Sequence, residues 1–140
     1  MKTESKPRIT LDTNVIISGI LFKGDAIRRL LLMALNEFQL VFSQSTWDEL
    51  ASVLQREGFE KHMPLGARLR VLADLASVAE VVHSTRVVTD CRDPKDNKFL
   101  SLALDAEVGT LVTGDDDLSV LHPYKGVLIR SPAEFLRLHA

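Results

Sequence analysis

Short apolar runs separated by amphipathic stretches constrain the fold of this 140-residue chain more strongly than any other feature of its sequence. Strands are predicted at residues 8–12, 40–43, 79–83, 110–113 and 126–129. Strands that alternate with helices form a parallel sheet, because each parallel connection needs a crossover element. The sequence therefore predicts a three-layer α/β/α fold with a central, mostly parallel sheet of four or five strands.

The stretches between the strands place apolar residues at helical spacing. The predicted helices cover residues 26–38, 45–58, 64–78, 93–107 and 131–140, with a short one at 116–121. In the helix at 64–78, the apolar face consists of Leu65, Leu69, Leu72 and Leu75. Because the chain shows no linker and no internal repeat, we expect a single domain over residues 1–140.

Charge and cysteine content exclude several classes of protein. Acidic residues number 19 and basic residues 17, whereas proteins that bind nucleic acid by charge alone are usually basic throughout. A nucleic-acid partner would therefore need a local basic patch, a metal ion or an oligomer. The single cysteine, Cys91, excludes an internal disulfide and all-cysteine zinc sites. We expect a cytoplasmic protein without a membrane segment, since the sequence has neither a membrane-spanning run nor a signal-peptide core.

Acidic residues recur where predicted strands lead into helices. Asp12 ends the first strand, and Asp115 and Asp117 follow the fourth. Glu49 and Asp96 fall in the first turns of the helices that follow the second and third strands. The carboxyl ends of parallel strands share one edge of the sheet, where open α/β sheets bind ligands. We therefore expect these carboxylates to converge on a single cleft.

Each acid also has an interpretation that needs no ligand. Thr46 and Glu49 fit a capping box, in which Glu49 reaches back to the first residue of the helix. Asp12 fits an Asx turn and Asp115 a helix cap, and Asp96 fits an acid that complements the helix dipole. Asp12 is the hardest to explain in this way, because a carboxylate at the end of an apolar strand loses hydration. Mutual repulsion among the acids favours a bound divalent cation.

The types of donor indicate which cation would bind. Carboxylates accompanied by Asn and Thr are hard oxygen ligands, which suit Mg²⁺ or Mn²⁺ and suit zinc poorly. The four histidines are scattered without the spacing of metal ligands. Acid clusters that hold such cations commonly serve phosphate chemistry, in which the cation activates water and stabilises the leaving oxygen. This pattern predicts a nuclease that needs no covalent intermediate.

Four segments resemble the PIN-domain nucleases, and in particular the branch of small bacterial and archaeal proteins described as toxins of type II toxin–antitoxin pairs. They read LDTNVIISGI, FSQSTWDEL, DPKDNKFLSLAL and LVTGDDDL, and they follow the order of the family over nearly the whole chain. The resemblance implies a parallel sheet flanked by helices and a Mg²⁺- or Mn²⁺-dependent endoribonuclease. It also implies an RNA substrate and an antitoxin protein as partner.

The resemblance also implies a role for individual residues. The acids that match the catalytic quartet of the family are Asp12, Glu49, Asp96 and Asp115. Asp117 matches an additional acid, Asn14 and Thr113 match polar residues beside the cation, and Asp93 matches a helix cap. We expect Glu49 to orient the attacking water or to hold a second ion. The expected metal ligands are Asp12, Asp96, Asp115 and Asp117.

Basic and apolar residues suggest contacts beyond the metal. Candidates for binding RNA phosphates are Lys23, Arg92, Lys95 and Lys98, although solvated side chains explain them equally well. Phe22, Trp47 and the run LLLMAL exceed what one helix face needs. They predict a homodimer interface or an antitoxin-binding groove, with ordinary core packing as the alternative.

Two other functions are compatible with parts of the sequence. A phosphoacceptor signalling domain of receiver type also combines an α/β fold with an acidic pocket and Mg²⁺. It needs a pair of acids after the first strand, where this chain offers only Asp12. A catalytically inactive PIN-fold binding module would keep the fold and act through a partner protein, but the intact acids disfavour it.

Overall fold

The computed structural model describes residues 6–22 and 24–139. The strands within this part of the chain are β1 Arg8–Leu11, β2 Gln39–Phe42, β3 Glu80–Val81, β4 Thr110–Val112 and β5 Leu128–Arg130. They form a five-stranded sheet in the order β3-β2-β1-β4-β5, and neighbouring strands run parallel. Every predicted strand is therefore confirmed, with ends that shift by a residue or two.

Helices connect the strands. Those of the described residues are α1 Thr13–Leu21, α2 Asp25–Glu37, α3 Gln44–Leu54, α4 Leu65–Val78, α5 Asn97–Asp105, α6 Asp116–Ser119 and α7 Pro132–His139. Short 3₁₀ turns lie at Glu57–Phe59 and Pro94–Asp96. Among these helices, none combines the length and the apolar character needed to cross a bilayer.

The sequence pattern does not predict helix α1, which directly follows the first strand. Its sequence, TNVIISGIL, is buried at Thr13, Val15, Ile16, Ile17, Gly19, Ile20 and Leu21. A helix that is apolar around most of its circumference shows no amphipathic period, and a short apolar run cannot be distinguished from a strand by periodicity. The helix was missed because it lies in the core.

Helices cover both faces of the sheet. Ile9 and Leu11 of β1 face one hydrophobic cluster, which they share with residues of α1, α2, α3, α4 and α7. Val41, Leu111 and Ile129 face a second cluster on the other side, which is formed with α5 and α6. This arrangement confirms the predicted three-layer α/β/α fold.

Helix α4 buries different residues from those predicted. Leu72 and Leu75 are buried, but Leu65 and Leu69 are 42% and 43% exposed. The same helix instead buries Arg68, which is only 1% exposed. The leucine spacing was misleading because the guanidinium of Arg68 donates to backbone carbonyl groups in the connection between α3 and α4, which makes its burial tolerable.

The strand order creates a topological switch point between β1 and β4. Strands β2 and β3 lie on one side of this point, and β5 lies on the other. Ligands of open α/β sheets bind outside the carboxyl ends of the strands at such a point. Asp12 directly follows β1 and Thr113 directly follows β4, so these two polar residues flank it.

Candidate functional site

Asp12 occupies the junction between β1 and α1. It is 6% exposed, and its Oδ1 accepts a hydrogen bond of 2.9 Å from the Val15 amide, which caps α1. Its Oδ2 accepts from the hydroxyl of Thr113. Burial, as the largest cause, raises the pKa of Asp12 above the ordinary range of an aspartate. Asp12 therefore caps α1, where the sequence predicted an Asx turn, and it also lines the cleft described below.

Thr113 joins the two acids that flank the switch point. Its side chain is fully buried, and its Oγ1 accepts a hydrogen bond of 3.0 Å from the Asp115 amide while it donates to Asp12. Asp115 in turn caps α6, because its Oδ1 accepts from the Asp117 amide at 2.9 Å. Of the three consecutive aspartates at 115–117, Asp115 thus lies in the cleft and Asp117 in the first turn of α6, while Asp116 is exposed.

Glu49 lies in the second turn of α3, one turn later than predicted. The proposed capping box of Thr46 and Glu49 is wrong: Ser43 is the cap, and it exchanges hydrogen bonds with Thr46. The reason is that α3 starts at Gln44, almost directly after β2. The Glu49 carboxylate is instead held by the Thr13 hydroxyl and by Lys98, whose Nζ lies 2.6 Å from Oε1.

Asp96 ends the 3₁₀ turn at Pro94–Asp96, which Asp93 caps by accepting from the Lys95 amide at 3.1 Å. The Oδ2 atom of Asp96 is buried and has no hydrogen-bond partner among the described residues. Burial first, and then the neighbouring Asp115 carboxylate, raise the pKa of Asp96 to about 7. A buried oxygen without a donor is costly for the ionised carboxylate, and the side chain of Asp115 beside it can only share a proton with it.

The four acids expected to form the quartet line one cleft of about 200 Å³. They are Asp12, Glu49, Asp96 and Asp115, and Asn14 and Asp93 line the same space. Asp117 is not part of this lining. It lies with Asp93 and Asp96, with one carboxylate oxygen of each within 4.8 Å of the others, and it forms an ion pair with Arg92. The acids that line the cleft and the group around Asp117 share Asp93 and Asp96.

These residues fit a divalent cation. The donors are carboxylate, hydroxyl and amide oxygens, the set that Mg²⁺ and Mn²⁺ prefer. The unpartnered oxygen of Asp96, which faces the carboxylates of Asp115 and Asp93, reflects negative charge that lacks compensation. A cation in the cleft would supply that compensation.

Of the basic residues around the cleft, two form ion pairs with carboxylates and two do not. Lys98 and Arg92 are engaged by Glu49 and Asp117. Arg56 and Lys95 line the cleft, and within the described residues neither forms an ion pair with a carboxylate. Arg56 was missed by the sequence analysis, because no local pattern shows that the end of α3 reaches the cleft. Lys23, another candidate, lies outside the described residues.

The fold and the cleft define a class of protein: a doubly wound α/β/α domain with a cluster of acidic residues at its switch point. A model of the PIN domain matches residues 8–117. The chain therefore belongs to the PIN-domain family, which confirms the predicted resemblance. Membership in this family of nucleases supports hydrolysis of nucleic acid as the class of reaction.

Individual proteins are similar to this chain over most of its length. The uncharacterized protein MJ1680 of Methanocaldococcus jannaschii is 27% identical over 121 residues, which cover 81% of this chain and 74% of that protein. VapBC2 from Rickettsia felis, solved with a DNA fragment from its promoter, matches with a TM-score of 0.60 and 14% identity, covering 89% of this chain and 98% of that chain. DNA-bound VapBC from Salmonella typhimurium matches with a TM-score of 0.59 and 20% identity, covering 90% and 98%. At these identities, the two solved structures establish similarity of fold.

Proposed function

We propose that the chain is a Mg²⁺- or Mn²⁺-dependent endoribonuclease that hydrolyses phosphodiester bonds in RNA. The observation that carries this proposal is the convergence of Asp12, Glu49, Asp96 and Asp115 on one cleft, where a buried oxygen of Asp96 lacks a partner. Membership in the PIN-domain family supports the same class of reaction.

The carboxylates of Asp12, Asp96 and Asp115 would hold the cation, with Asn14 beside them. When bound, a divalent cation polarises the phosphoryl oxygen and makes water a better nucleophile near neutral pH. Thr113 and the Val15 amide fix both oxygens of Asp12, so that this carboxylate needs little reorganisation when charge develops in the cleft. Asp117 would bind from the side of Asp93 and Asp96, at the margin of the cleft.

Glu49 would orient the attacking water and accept its proton. Thr13 and Lys98 hold the two oxygens of its carboxylate, and this restricts its rotation within the cleft. Arg56 and Lys95 would bind the phosphates of the substrate, because they line the cleft without a carboxylate partner among the described residues. Water would then attack the phosphorus in line while the bond from phosphorus to the ribose 3′ oxygen breaks; the leaving oxygen would take up a proton from solvent, and no covalent intermediate is needed.

The biological role that we infer is that of the toxin in a toxin–antitoxin pair. Support comes from the match of this fold to chains of two VapBC structures. An antitoxin protein is accordingly the proposed partner, and a homodimer stays a prediction. Expression of the chain alone should arrest growth of the host cell, and co-expression of the proposed antitoxin should restore growth. Growth unaffected by the chain alone would contradict the toxin role.

The topology disfavours the receiver-type alternative. Receiver domains have the strand order 2-1-3-4-5, whereas this sheet has the order β3-β2-β1-β4-β5. The acids that line the cleft likewise give no support to an inactive binding module.

Cleavage of a labelled single-stranded RNA tests the nuclease proposal. We expect products only when Mg²⁺ or Mn²⁺ is present, and a large loss of rate in Asp12→Asn and Asp115→Asn. Asp74→Asn is the matched control, since it removes an exposed carboxylate of α4 and should cleave as the unchanged chain does. Equal rates in Asp12→Asn and Asp74→Asn would refute the proposal.

A further inference from the structure

A second cavity of about 580 Å³ lies beside the acidic cleft, and the proposed function does not yet use it. Its walls come from the start of α3, from the segment that follows β3, and from α5. The residues that matter here are Ser45, His83, Arg86 and Lys98. We call this space the cationic cavity.

The residues that line the cationic cavity differ in type from those of its neighbour. Its lining includes Arg86, Lys98 and His83 together with four serines, and no carboxylate is among the described residues that line it. The adjacent cleft is lined by five carboxylates. In a chain with 19 acidic residues, a polar cavity of this size without acidic lining favours an anionic ligand.

Both long cations of the cavity are oriented by carboxylates that lie outside its lining. The Nε of Arg86 lies 3.2 Å from Oδ1 of Asp105, whose Oδ2 also accepts from the Ser84 hydroxyl and from the Arg86 amide. Lys98 is held by Glu49 at 2.6 Å. Preorganised cations lose less freedom when they bind a ligand than freely moving side chains do.

Lys98 connects the two spaces. Its side chain lines the cationic cavity, while its Nζ contacts Glu49, which lines the acidic cleft. A ligand that occupies both spaces must therefore pass Lys98. The ligand chemistry that suits this path is a strand that carries phosphates at regular intervals, with one phosphate in the cleft and the next nucleotide in the cavity.

We propose that the cationic cavity binds the nucleotide that flanks the scissile phosphodiester in a single-stranded RNA. This inference rests on the proposed function. Its phosphate lies between Lys98 and Arg86, its ribose hydroxyls meet the serines, and His83 offers an aromatic ring for the base. The volume of the cavity falls within the range of about 300–1,000 Å³ that is typical of sites for small ligands, and it is too small for a duplex.

Ser45→Glu tests the inference by adding a negative charge without removing a contact. Ser45 is exposed in the first turn of α3, and no side-chain hydrogen bond of Ser45 occurs within the described residues. An acid in a first helical turn is favourable, so the variant should fold. Ala67→Glu is the matched control: it adds the same charge at an exposed position in the first turn of α4, away from both spaces.

The measurement is the affinity for a fluorescent single-stranded RNA, by anisotropy without divalent cations, so that cleavage does not interfere. We expect Ser45→Glu to weaken binding by roughly five- to tenfold at low salt, and much less at high salt, where the added charge is screened. Arg86→Ala should lower the slope of log affinity against log salt by about 0.7, the value for one lost phosphate contact with a single strand. Arg70→Ala, at an exposed position of α4, should leave that slope unchanged.

Equal affinity of Ser45→Glu and Ala67→Glu would overturn the inference, as would the absence of any RNA binding by the unchanged chain. The two proposals fail separately. If RNA binding shows the expected pattern but no cleavage occurs in Mg²⁺ or Mn²⁺, the proposed nuclease activity is refuted and the proposed nucleotide site in the cavity stands. Cleavage with equal affinities of the two glutamate variants would refute the cavity and retain the nuclease.

Discussion

Arg68 and Asp96 are two charged residues with buried atoms, and the protein treats them in opposite ways. The guanidinium of Arg68 donates to the carbonyl groups of Met63 at 2.9 Å, Leu54 at 2.7 Å and Arg56 at 3.0 Å. It also forms an ion pair of 2.6 Å with Glu60. The charge of Arg68 is thus compensated from within the chain, and it ties the α3–α4 connection to α4.

Asp96 has no such compensation. Its buried Oδ2 lacks a hydrogen-bond partner among the described residues, and the groups that face it are the carboxylates of Asp12, Asp93 and Asp115. A buried charge that is fully bonded is tolerated, and its removal leaves its partners unbonded, whereas a buried carboxylate without a partner is available to a ligand. From this difference we infer that Arg68 stabilises the fold and that Asp96 serves to bind a ligand.

The largest expected effect is on stability, at Arg68. We expect Arg68→Met to lower the free energy of unfolding by about 3–5 kcal/mol, because three backbone carbonyl groups lose their donor, at about 1–3 kcal/mol for each one that stays buried. Arg70→Met, on the exposed side of the same helix, should change it by less than about 0.5 kcal/mol. Urea unfolding of both variants measures the difference. A similar effect of the two substitutions would remove the structural half of the comparison.

The second effect is on catalysis, at Asp96. We expect Asp96→Asn to reduce the rate of RNA cleavage roughly 10²- to 10³-fold, which corresponds to about 2.7–4 kcal/mol in the transition state. Without divalent cations, the same variant should be at least as stable as the unchanged chain, because one member of a repelling group becomes neutral. Cleavage rates and unfolding curves test both parts. Loss of stability together with activity would show that Asp96 is a structural residue like Arg68.

A third effect is stabilisation by the cation. Mg²⁺ or Mn²⁺ at about 100 times its dissociation constant should raise the free energy of unfolding by about 2.7 kcal/mol, since only the folded chain gathers the acids. Thermal unfolding with increasing cation measures it. The shift should be much smaller in Asp96→Asn and unchanged in Asp74→Asn. An equal shift in all three proteins would mean that the cation binds elsewhere.

The last effect concerns the dependence of stability on pH. Burial raises the pKa of Asp96 to about 7, whereas the unfolded chain releases this proton near pH 4. Between these values the folded protein holds more protons than the unfolded chain, so without divalent cations this residue makes stability fall as pH rises from about 4 to about 7. Urea midpoints of the unchanged chain minus those of Asp96→Asn isolate this contribution. A difference that does not vary with pH would contradict the raised pKa.

Much of the fold could be predicted because parallel strands must alternate with crossovers. The same logic brought together Asp12 and Asp96, which are distant in sequence, because the carboxyl ends of parallel strands share one edge. What escaped prediction depends on contacts between distant residues. Arg68 is buried only because carbonyl groups from another segment surround it, and Arg56 reaches the cleft only through the position of α3.

The errors in local structure have the same origin. Glu49 was assigned to a capping box because the sequence offered Thr46 as a cap, but the start of α3 was set by how soon the chain turns after β2. Helix α1 was invisible because burial on most sides removes the amphipathic period. Apolar periodicity predicts an element that buries one face, and it does not identify a helix that is buried on most sides.

We infer that the acids of the cleft share one cation, and paramagnetic broadening by Mn²⁺ reports where that cation binds. In amide spectra recorded with less than one equivalent of Mn²⁺, the signals of Asp12, Asp96 and Asp115 should disappear first. Those of α4 should persist, Mg²⁺ should restore the lost signals, and Asp96→Asn should weaken the effect. Broadening that instead begins at exposed acids such as Asp74, or that spreads evenly over the chain, would contradict the claim.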